Sequence, residues 1–402
     1  MEFDYRTHKR NLVLNLIITH GPVSRTELIE MTDYRPTTIG DITKELLEEK
    51  LIIETGKVSA GMGRKRVMLE INREFICAIG VTITPACVTT VIMQIDGTVR
   101  NRWKDIVNMA DTRAAADAIV ARIQEAVAAC EGRLLVGIGI GDPENDPAYY
   151  RVERDQEKNF IHYNADVYSQ IHPRLEQETG LMVRNISGVT LPAIVEKRFG
   201  CAADASDFLC ILISNGFSAS ICCDGHIHSG ANGIAGEIGH SVCNTSESTQ
   251  KLCYCGKKGC VETEAAFPAI VQNIRSAIDQ GIYTSLDANV EIDEAAIRQA
   301  LEKNDPVCSY YVNRAAQQIG VAIANAVNLF DPELVVLYGS MLRLGAGFIG
   351  QVELHIRKNV KMPHRKLKIS LSPNLERDLP MGAASEMFNY YFKMEEYAAL
   401  TH

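Results

Sequence analysis

The stretch that decides the fold of this 402-residue chain runs from Gly236 to Glu262. It reads Gly236-Glu237-Ile238-Gly239-His240, then a polar loop, then Cys253-Tyr254-Cys255, and it ends with Cys260-Val261-Glu262. One histidine followed by three cysteines in C-x-C-x4-C spacing is a four-ligand set typical of zinc, which takes thiolate sulfur and imidazole nitrogen in a closed tetrahedral shell. The stretch therefore predicts a metal-fixed loop that carries an acidic side chain near each end.

The other cysteines and the overall composition are those of a cytoplasmic protein. Of the 12 cysteines, only Cys253, Cys255 and Cys260 have ligand spacing, and most others sit singly in apolar runs, as small buried thiols do in a reducing compartment. Apolar residues make up 46% of the chain and charged residues 23%. No apolar run reaches the roughly 18–20 residues of a membrane span, and no secretory signal is present. The alternative for the three spaced cysteines is that they are free surface thiols.

The first 73 residues have the pattern of a helix-turn-helix. Residues 8–20 have helical apolar spacing, and Ser24-Arg25-Thr26-Glu27 is a capping box that begins a second, short helix. Pro36 suits the first turn of a third helix, which extends to about Lys50 and buries its isoleucines and leucines. Three short helices with a tight turn before the last indicate a module whose third helix enters the DNA major groove.

A basic segment between two strand-like runs completes a winged helix. Residues 51–54 and 67–71 are the strands, and residues 55–66 are a glycine-flanked basic tip suited to the minor groove. Residues 1–73 hold 12 basic and 11 acidic side chains in a chain of net charge −9, which fits a DNA-binding head on an acidic body. The alternative is a helical protein-interaction module. The predicted DNA contacts are Arg35, Thr37, Thr38, Lys44, Arg64, Lys65 and Arg66.

From residue 74 the pattern changes to two successive βββαβα units. This order predicts an α/β body of two lobes with the duplicated ribonuclease-H-like architecture of actin and sugar kinases. The expected domains are a winged helix over 1–73, a first lobe over 74–188 completed by a C-terminal helix over 379–402, and a second lobe over 189–378. A cleft between such lobes is the expected ligand site.

With these elements in place, the chain resembles the ROK family of repressors, open reading frames and kinases. The likeness rests on the stretch from Gly236 to Glu262, on the winged helix, on Asp331-Pro332-Glu333 and on Gly382-Ala383-Ala384. It is similar to the sugar-responsive repressors of that family, such as those for xylose or N-acetylglucosamine. The resemblance implies a structural zinc bound by His240, Cys253, Cys255 and Cys260.

The resemblance also implies a sugar site beside the zinc. The implied contacts are Glu237, His240 and Glu262, and carboxylates suit the vicinal hydroxyls of a polyol. Asn232 is a further predicted contact of the same site. The alternative is that Glu237 and Glu262 only hold the zinc ligands or cap the helix that follows.

Three features of the family's kinases are missing. Thr82–Cys87 and Ser214–Ser218 stand where glycine-rich phosphate loops are expected, and Pro85 removes an amide donor there. Ser187-Gly188, or Asn185-Ile186 in another register, supplies no carboxylate to act as general base. The sequence thus predicts that the protein is not an enzyme and binds no ATP.

The sequence as a whole predicts a transcriptional regulator, most simply a repressor. A homodimer or homotetramer is expected to bind a palindromic operator and a carbohydrate effector, with no membrane partner. Two alternatives remain, namely a ligand-independent DNA-binding scaffold controlled by a protein partner, and an active sugar kinase with a DNA-binding head.

Overall fold

The computed structural model describes residues 5–58, 66–84, 87–109, 111–142, 163–253, 255–287, 289–361, 367–372 and 375–394. By its internal contacts the chain divides into two units. Met1–Gly141, Asp166–Ile186 and Pro380–His402 contribute to the first, and Asp142–Ala165 and Ser187–Leu379 to the second. The domain boundaries expected from the sequence stay predictions. None of the described helices is both long enough and apolar enough to cross a membrane.

The first unit begins with three helices and a small sheet in winged-helix order. Its elements are α1 (Tyr5–His20), β1 (Val23–Ser24), α2 (Arg25–Thr32), α3 (Pro36–Glu48), β2 (Ile52–Val58) and β3 (Arg66–Ile71). The strand order is β1-β3-β2, and both pairings are antiparallel. The tip of the wing, which includes Arg64 and Lys65, lies outside the described residues.

Local signals in the sequence explain where these helices begin and end. The capping box that begins α2 is complete, since the Glu27 amide donates to Ser24 Oγ and the Glu27 carboxylate accepts from the Ser24 amide. Asp33 ends α2 in the left-handed region with φ of 55°. Pro36 is the first residue of α3, where its missing N–H leaves no intrahelical bond unmade.

The first unit continues into a five-stranded sheet. Its strands are β4 (Ile76–Ile83), β5 (Val88–Gln94), β6 (Val99–Asp105), β7 (Leu134–Asp142) and β8 (Val183–Ser187), in the order β6-β5-β4-β7-β8. The helices α4 (Thr112–Ala128) and α5 (Tyr163–Thr179) connect β6 to β7 and β7 to β8. β4 pairs antiparallel with β5 and parallel with β7, so three meandering strands are followed by parallel ones.

The last helix, α12 (Leu375–Phe392), packs on this sheet from Pro380 onward. At Gly80 of β4 the helix backbone lies so close that a Cβ would sit 1.8 Å from the Pro380 carbonyl oxygen, so no side chain fits there. The end of α12 also meets α1. The Asn15 side chain, 3% exposed, donates from Nδ2 to the carbonyls of Phe392 at 3.0 Å and Asn11 at 2.9 Å.

The second unit repeats the same sheet plan. Its strands are β9 (Phe208–Ile213), β10 (Phe217–Cys223), β11 (His226–Ile227), β12 (Leu334–Tyr338) and β13 (Lys368–Leu371), in the order β11-β10-β9-β12-β13. Its helices are α6 (Leu191–Phe199), α7 (Val261–Ala265), α8 (Phe267–Asp279), α9 (Glu294–Glu302), α10 (Pro306–Phe330) and α11 (Ala346–Asn359). The third-second-first-fourth-fifth order in both sheets confirms the predicted duplicated architecture.

A break of one residue separates α7 from α8. Ala266 has extended backbone between α7 and α8, with ψ of 164°. The physical reason is Pro268, which follows in the first turn of α8: it cannot donate a backbone hydrogen bond to a continuing helix. The break makes α7 a short helix that begins directly after Cys260 and ends at Ala265.

Candidate functional site

The histidine and the three spaced cysteines come together in the second unit. One ligand atom from each of His240, Cys253, Cys255 and Cys260 lies within 4.8 Å of all the others. His240 ends a short 3-10 helix over Ile238–His240, and Cys260 immediately precedes α7. Cys253 and Cys260 are fully buried, and the His240 side chain is 10% exposed.

The spacing of these donor atoms fits a tetrahedral metal ion. Cys253 Sγ lies 3.5 Å from His240 Nδ1, and Cys255 Sγ lies 3.7 Å from Cys260 Sγ. The edges of a zinc tetrahedron are about 3.6 Å for N···S and about 3.8 Å for S···S, given the usual bond lengths. Burial raises the pKa of the Cys253 and Cys260 thiols, so thiolates need a cation nearby to form here. The four residues could therefore hold a metal ion, and three sulfurs with one imidazole suit zinc.

Backbone and side-chain bonds hold the loop in this shape. The Cys243 amide donates to the Gly259 carbonyl at 2.9 Å, and the Cys253 amide donates to the Lys257 carbonyl at 2.7 Å. Lys257 Nζ in turn donates to the His240 carbonyl at 2.9 Å. The ligand backbone is thus fixed independently of the side chains that would bind the metal.

Sequence reasoning missed Glu264, which fastens the loop to the helices behind it. This carboxylate is 6% exposed, accepts a hydrogen bond from Asn244 Nδ2 at 3.0 Å and lies 3.7 Å from Arg314 Nη2. The only local signal for Glu264 is its position two residues after Glu262, in the acidic first turn of α7. Its partners lie 20 and 50 residues away, so no local pattern pairs them.

Glu237 lies beside the histidine on the side away from the sulfurs. Its Oε2 is 3.7 Å from His240 Nε2, whereas His240 Nδ1 faces Cys253. A carboxylate on the second ring nitrogen is the usual way to fix the tautomer of a metal-bound histidine. Gly236 positions this pair: its φ is +96°, and a Cβ there would sit 1.8 Å from the Ala219 carbonyl oxygen. The structure therefore places Glu237 beside His240.

Glu262 and Asn232 have different surroundings. Glu262 Oε2 accepts a hydrogen bond from the Phe217 amide at 3.0 Å, so part of this carboxylate is used inside the chain. Asn232 is exposed, in the turn before Gly236. That these residues contact a sugar stays a prediction.

Kinases of this architecture are expected to carry a phosphate loop at two places. At both places in this chain, backbone amides donate hydrogen bonds within the chain. The Thr84 amide donates to the Cys87 carbonyl at 2.9 Å, and the Cys87 amide donates to Thr84 Oγ1 at 3.1 Å. In the second unit the Ser214 amide donates to the Gly216 carbonyl at 3.0 Å. With Phe217 bound to Glu262, these four amides all donate within the chain. Pro85 and Ala86 lie outside the described residues.

The predicted DNA-contact residues lie around the start and outer face of α3. Arg35 is the residue before α3 and is exposed, as are Thr37 and Lys44, while Thr38 is half-buried. Lys44 Nζ lies 3.8 Å from Glu48 Oε1. Arg66, half-buried, begins β3 at the base of the wing. Arg25, which no sequence motif singles out, donates from Nε to Thr43 Oγ1 at 2.9 Å and so connects α2 to α3.

A winged helix joined to two sugar-kinase-like sheets, with a cluster of one histidine and three cysteines in the second, defines a known class of protein. The ROK family model matches residues 78–384, so the chain belongs to the ROK family. It is 26% identical to the xylose repressor of Caldicellulosiruptor bescii, with 96% of this chain and 97% of that protein covered. It is also 26% identical to the Escherichia coli K12 transcriptional dual regulator NagC, over 82% of this chain and 79% of NagC.

Solved structures agree with this assignment. A ROK family transcriptional regulator, a homologue of the E. coli Mlc protein, superposes with a TM-score of 0.79 at 25% identity and covers 99% of each chain. A ROK glucokinase from Streptomyces griseus, solved with glucose and AMPPNP, gives a TM-score of 0.58 at 23% identity. It covers 77% of this chain and 98% of the kinase, a likeness of fold.

Proposed function

We propose that the protein is a DNA-binding transcriptional repressor that responds to a sugar or sugar derivative and does not phosphorylate it. The observation that carries the proposal is the exposed face of α3, in a winged helix joined to a kinase-like body. Repressors resemble the chain over almost its whole length. A helix of this kind is placed in the major groove by its module, and its exposed residues meet the bases.

The DNA contacts in this proposal divide into two kinds. The phosphate contacts are made by the basic side chains, namely Arg35, Lys44, Arg64, Lys65 and Arg66. Thr37 and Thr38 lie in the first turn of α3, where side chains reach base edges. A homodimer or homotetramer would present two such helices to a two-fold symmetric operator, because one module offers too few contacts for specific binding.

In the body, zinc would be held by His240, Cys253, Cys255 and Cys260 as a structural ion. When bound it would supply folding free energy to the loop and keep the thiols deprotonated. Glu237 and His240 then form the fixed part of a sugar site, with Glu262 and Asn232 as further contacts. Carboxylates accept two hydrogen bonds each from vicinal hydroxyls, which suits an unphosphorylated sugar ring.

The absence of phosphoryl transfer in this proposal is supported by the amides of Thr84, Cys87, Ser214 and Phe217. Each already donates inside the chain, whereas a phosphate loop needs its amides directed at the nucleotide. Position 187 offers a serine in place of a carboxylate that could act as base.

The proposal is tested by fluorescence anisotropy on a labelled fragment upstream of the protein's own gene. We expect tight, salt-dependent binding by the zinc-loaded protein, and release by one member of a panel of neutral sugars and sugar phosphates. Lys44→Ala should lower the slope of log affinity against log salt by about 1 per protomer. Binding that no sugar releases would contradict the sensing half of the proposal, and no binding at all would contradict the whole.

A further inference from the structure

We propose that Asp41 reads a cytosine in each operator half-site. Its carboxylate accepts a hydrogen bond from the exocyclic amine of that base in the major groove, and Gly40 lets the helix come close enough for so short a side chain. This inference rests on the proposed function, because it names what one residue of the DNA-binding helix recognises.

The packing of α3 turns Asp41 outward. Ile39, Ile42 and Leu46 are buried against the rest of the winged helix, and Asp41 lies on the opposite side. It shares that side with Thr37 and Lys44, at spacings of four and three residues, which places the three in one stripe along the helix. Asp41 is the central side chain of the surface that a DNA groove would meet.

Asp41 lines a surface pocket with Arg6 and Lys9 of α1, but its charge makes no direct ion pair within the described residues. The other three acidic residues of this region are paired: Glu45 Oε1 lies 3.0 Å from Arg10 Nε, Glu48 lies 3.8 Å from Lys44, and Glu49 pairs with Arg10. Asp41 forms no ion pair or hydrogen bond with any side chain that the structure describes. The helix dipole favours a carboxylate only in the first turn of a helix, and Asp41 lies beyond the first turn of α3.

Gly40 is likewise unexplained by the chain itself. Glycine is among the poorest helix formers, yet a Cβ at this position would meet no atom within 4 Å of the described chain. The space is open on the side next to Asp41. A helix without a side chain there can approach a groove more closely, which a carboxylate on a single methylene requires if it is to touch a base edge.

Electrostatics selects the base. A carboxylate brought up to the DNA polyanion is repelled unless it meets a hydrogen-bond donor. In the major groove, guanine and thymine offer acceptors, and adenine offers an amine beside the acceptor N7, a pair that suits asparagine or glutamine. Cytosine offers its N4 amine, which aspartate and glutamate accept. Asp41 therefore favours cytosine and opposes guanine at the same position.

The test is selection of bound sequences from a randomised library by the full-length protein, followed by affinity measurement on the selected site. For the wild type we expect cytosine at one symmetric position in each half-site. Asp41→Ala should remove the preference there, about tenfold in relative affinity, while Asp41→Asn should move it towards adenine. Glu48→Gln removes one negative charge from the same face and should leave the selected sequence unchanged.

Gly40→Ala provides a second readout. We expect it to keep or raise the melting temperature, because alanine is the better helix former, and to weaken binding to the selected site. If the wild type and Asp41→Asn select the same sequence, the inference is wrong although the protein binds DNA. If the wild type selects no sequence at all, the proposed function fails and the inference fails with it.

Discussion

Two loops of the second unit, the cysteine-rich loop and the turn at Ser214–Ser218, are fixed in different ways. In the first, four ligand atoms converge within 4.8 Å and leave room for an ion among them. In the second, the backbone donors converge on acceptors of the chain itself, such as the Gly216 carbonyl and the Glu262 carboxylate. The first loop brings four potential ligands together, whereas in the second the amides of Ser214 and Phe217 are bonded within the chain.

Two loops of one kinase-like unit can thus be fixed in opposite ways, one around four side chains that could hold an ion and the other by hydrogen bonds within the chain. Glu262 belongs to both loops, since it follows the last cysteine and accepts from Phe217. A carboxylate in this position links the cysteine-rich loop to the turn. Substitutions in each loop separate the contributions of the two loops.

The largest expected effect comes from removing a metal ligand. Cys260→Ser should abolish binding of one zinc per chain and lower the free energy of unfolding by about 5 kcal/mol or more, since structural zinc supplies folding free energy. Cys243→Ser changes an exposed thiol in the same loop and is the matched control. The measurements are metal analysis and denaturant unfolding. Equal stability of the two variants would contradict a structural metal.

The same loop predicts how metal retention depends on pH. Burial raises the pKa of the Cys253 and Cys260 thiols, so in the absence of metal both stay protonated at neutral pH. Zinc must displace these protons, and its apparent affinity therefore falls as the pH falls. Competition with a chelator across pH 6 to pH 8, roughly, should show a steep decline towards acid. A flat profile would indicate that the thiols are not ligands.

The second effect concerns the link between the loops. Glu262→Ala leaves the Phe217 amide without its acceptor and should cost about 1–3 kcal/mol of unfolding free energy. Glu262→Gln keeps an oxygen acceptor and should be closer to the wild type. Both variants should retain zinc. If Glu262→Ala is as stable as the wild type, the bond to Phe217 does not hold the turn.

A third effect is on ligand recognition. Glu237→Gln removes the charge beside His240 without changing a metal ligand, and should weaken binding of the effector sugar about tenfold or more, as expected for a lost charge-assisted hydrogen bond. Isothermal titration with the sugar that releases DNA provides the measurement. The variant should bind the operator like the wild type in the absence of sugar. Unchanged sugar affinity would place the effector elsewhere.

The smallest expected effect is that of nucleotide. Magnesium and ATP at millimolar concentration should leave the melting temperature unchanged, because the amides of Thr84, Cys87 and Ser214 already donate within the chain. The effector sugar, in a parallel sample, should raise it. Stabilisation by ATP, or its turnover with any sugar of the panel, would overturn the distinction between the two loops.

Much of the architecture could be predicted because its signals are local. The capping box at Ser24, the proline that begins α3 and the alternating order of strands and helices each act over a few residues. The cluster of one histidine and three cysteines could be predicted equally well, since its three cysteines lie within eight residues of one another. The contacts that could not be predicted from the sequence join distant positions. Glu264 meets Arg314 and Glu262 meets Phe217, and those pairs depend on how α7 packs, which no short pattern encodes.

The hydrogen bond from Asn15 to Phe392 closes the chain on itself. It joins positions 377 residues apart, so the end of the last helix contacts the first helix within their unit. A buried side-chain amide that loses its hydrogen-bond acceptor lowers the stability of the fold around it. Truncation before Phe392, or a tag that frays this end of α12, should therefore be felt in the winged helix, although neither change touches a DNA-contact residue. The end of α12 at Phe392 is in this sense part of the packing that supports the winged helix.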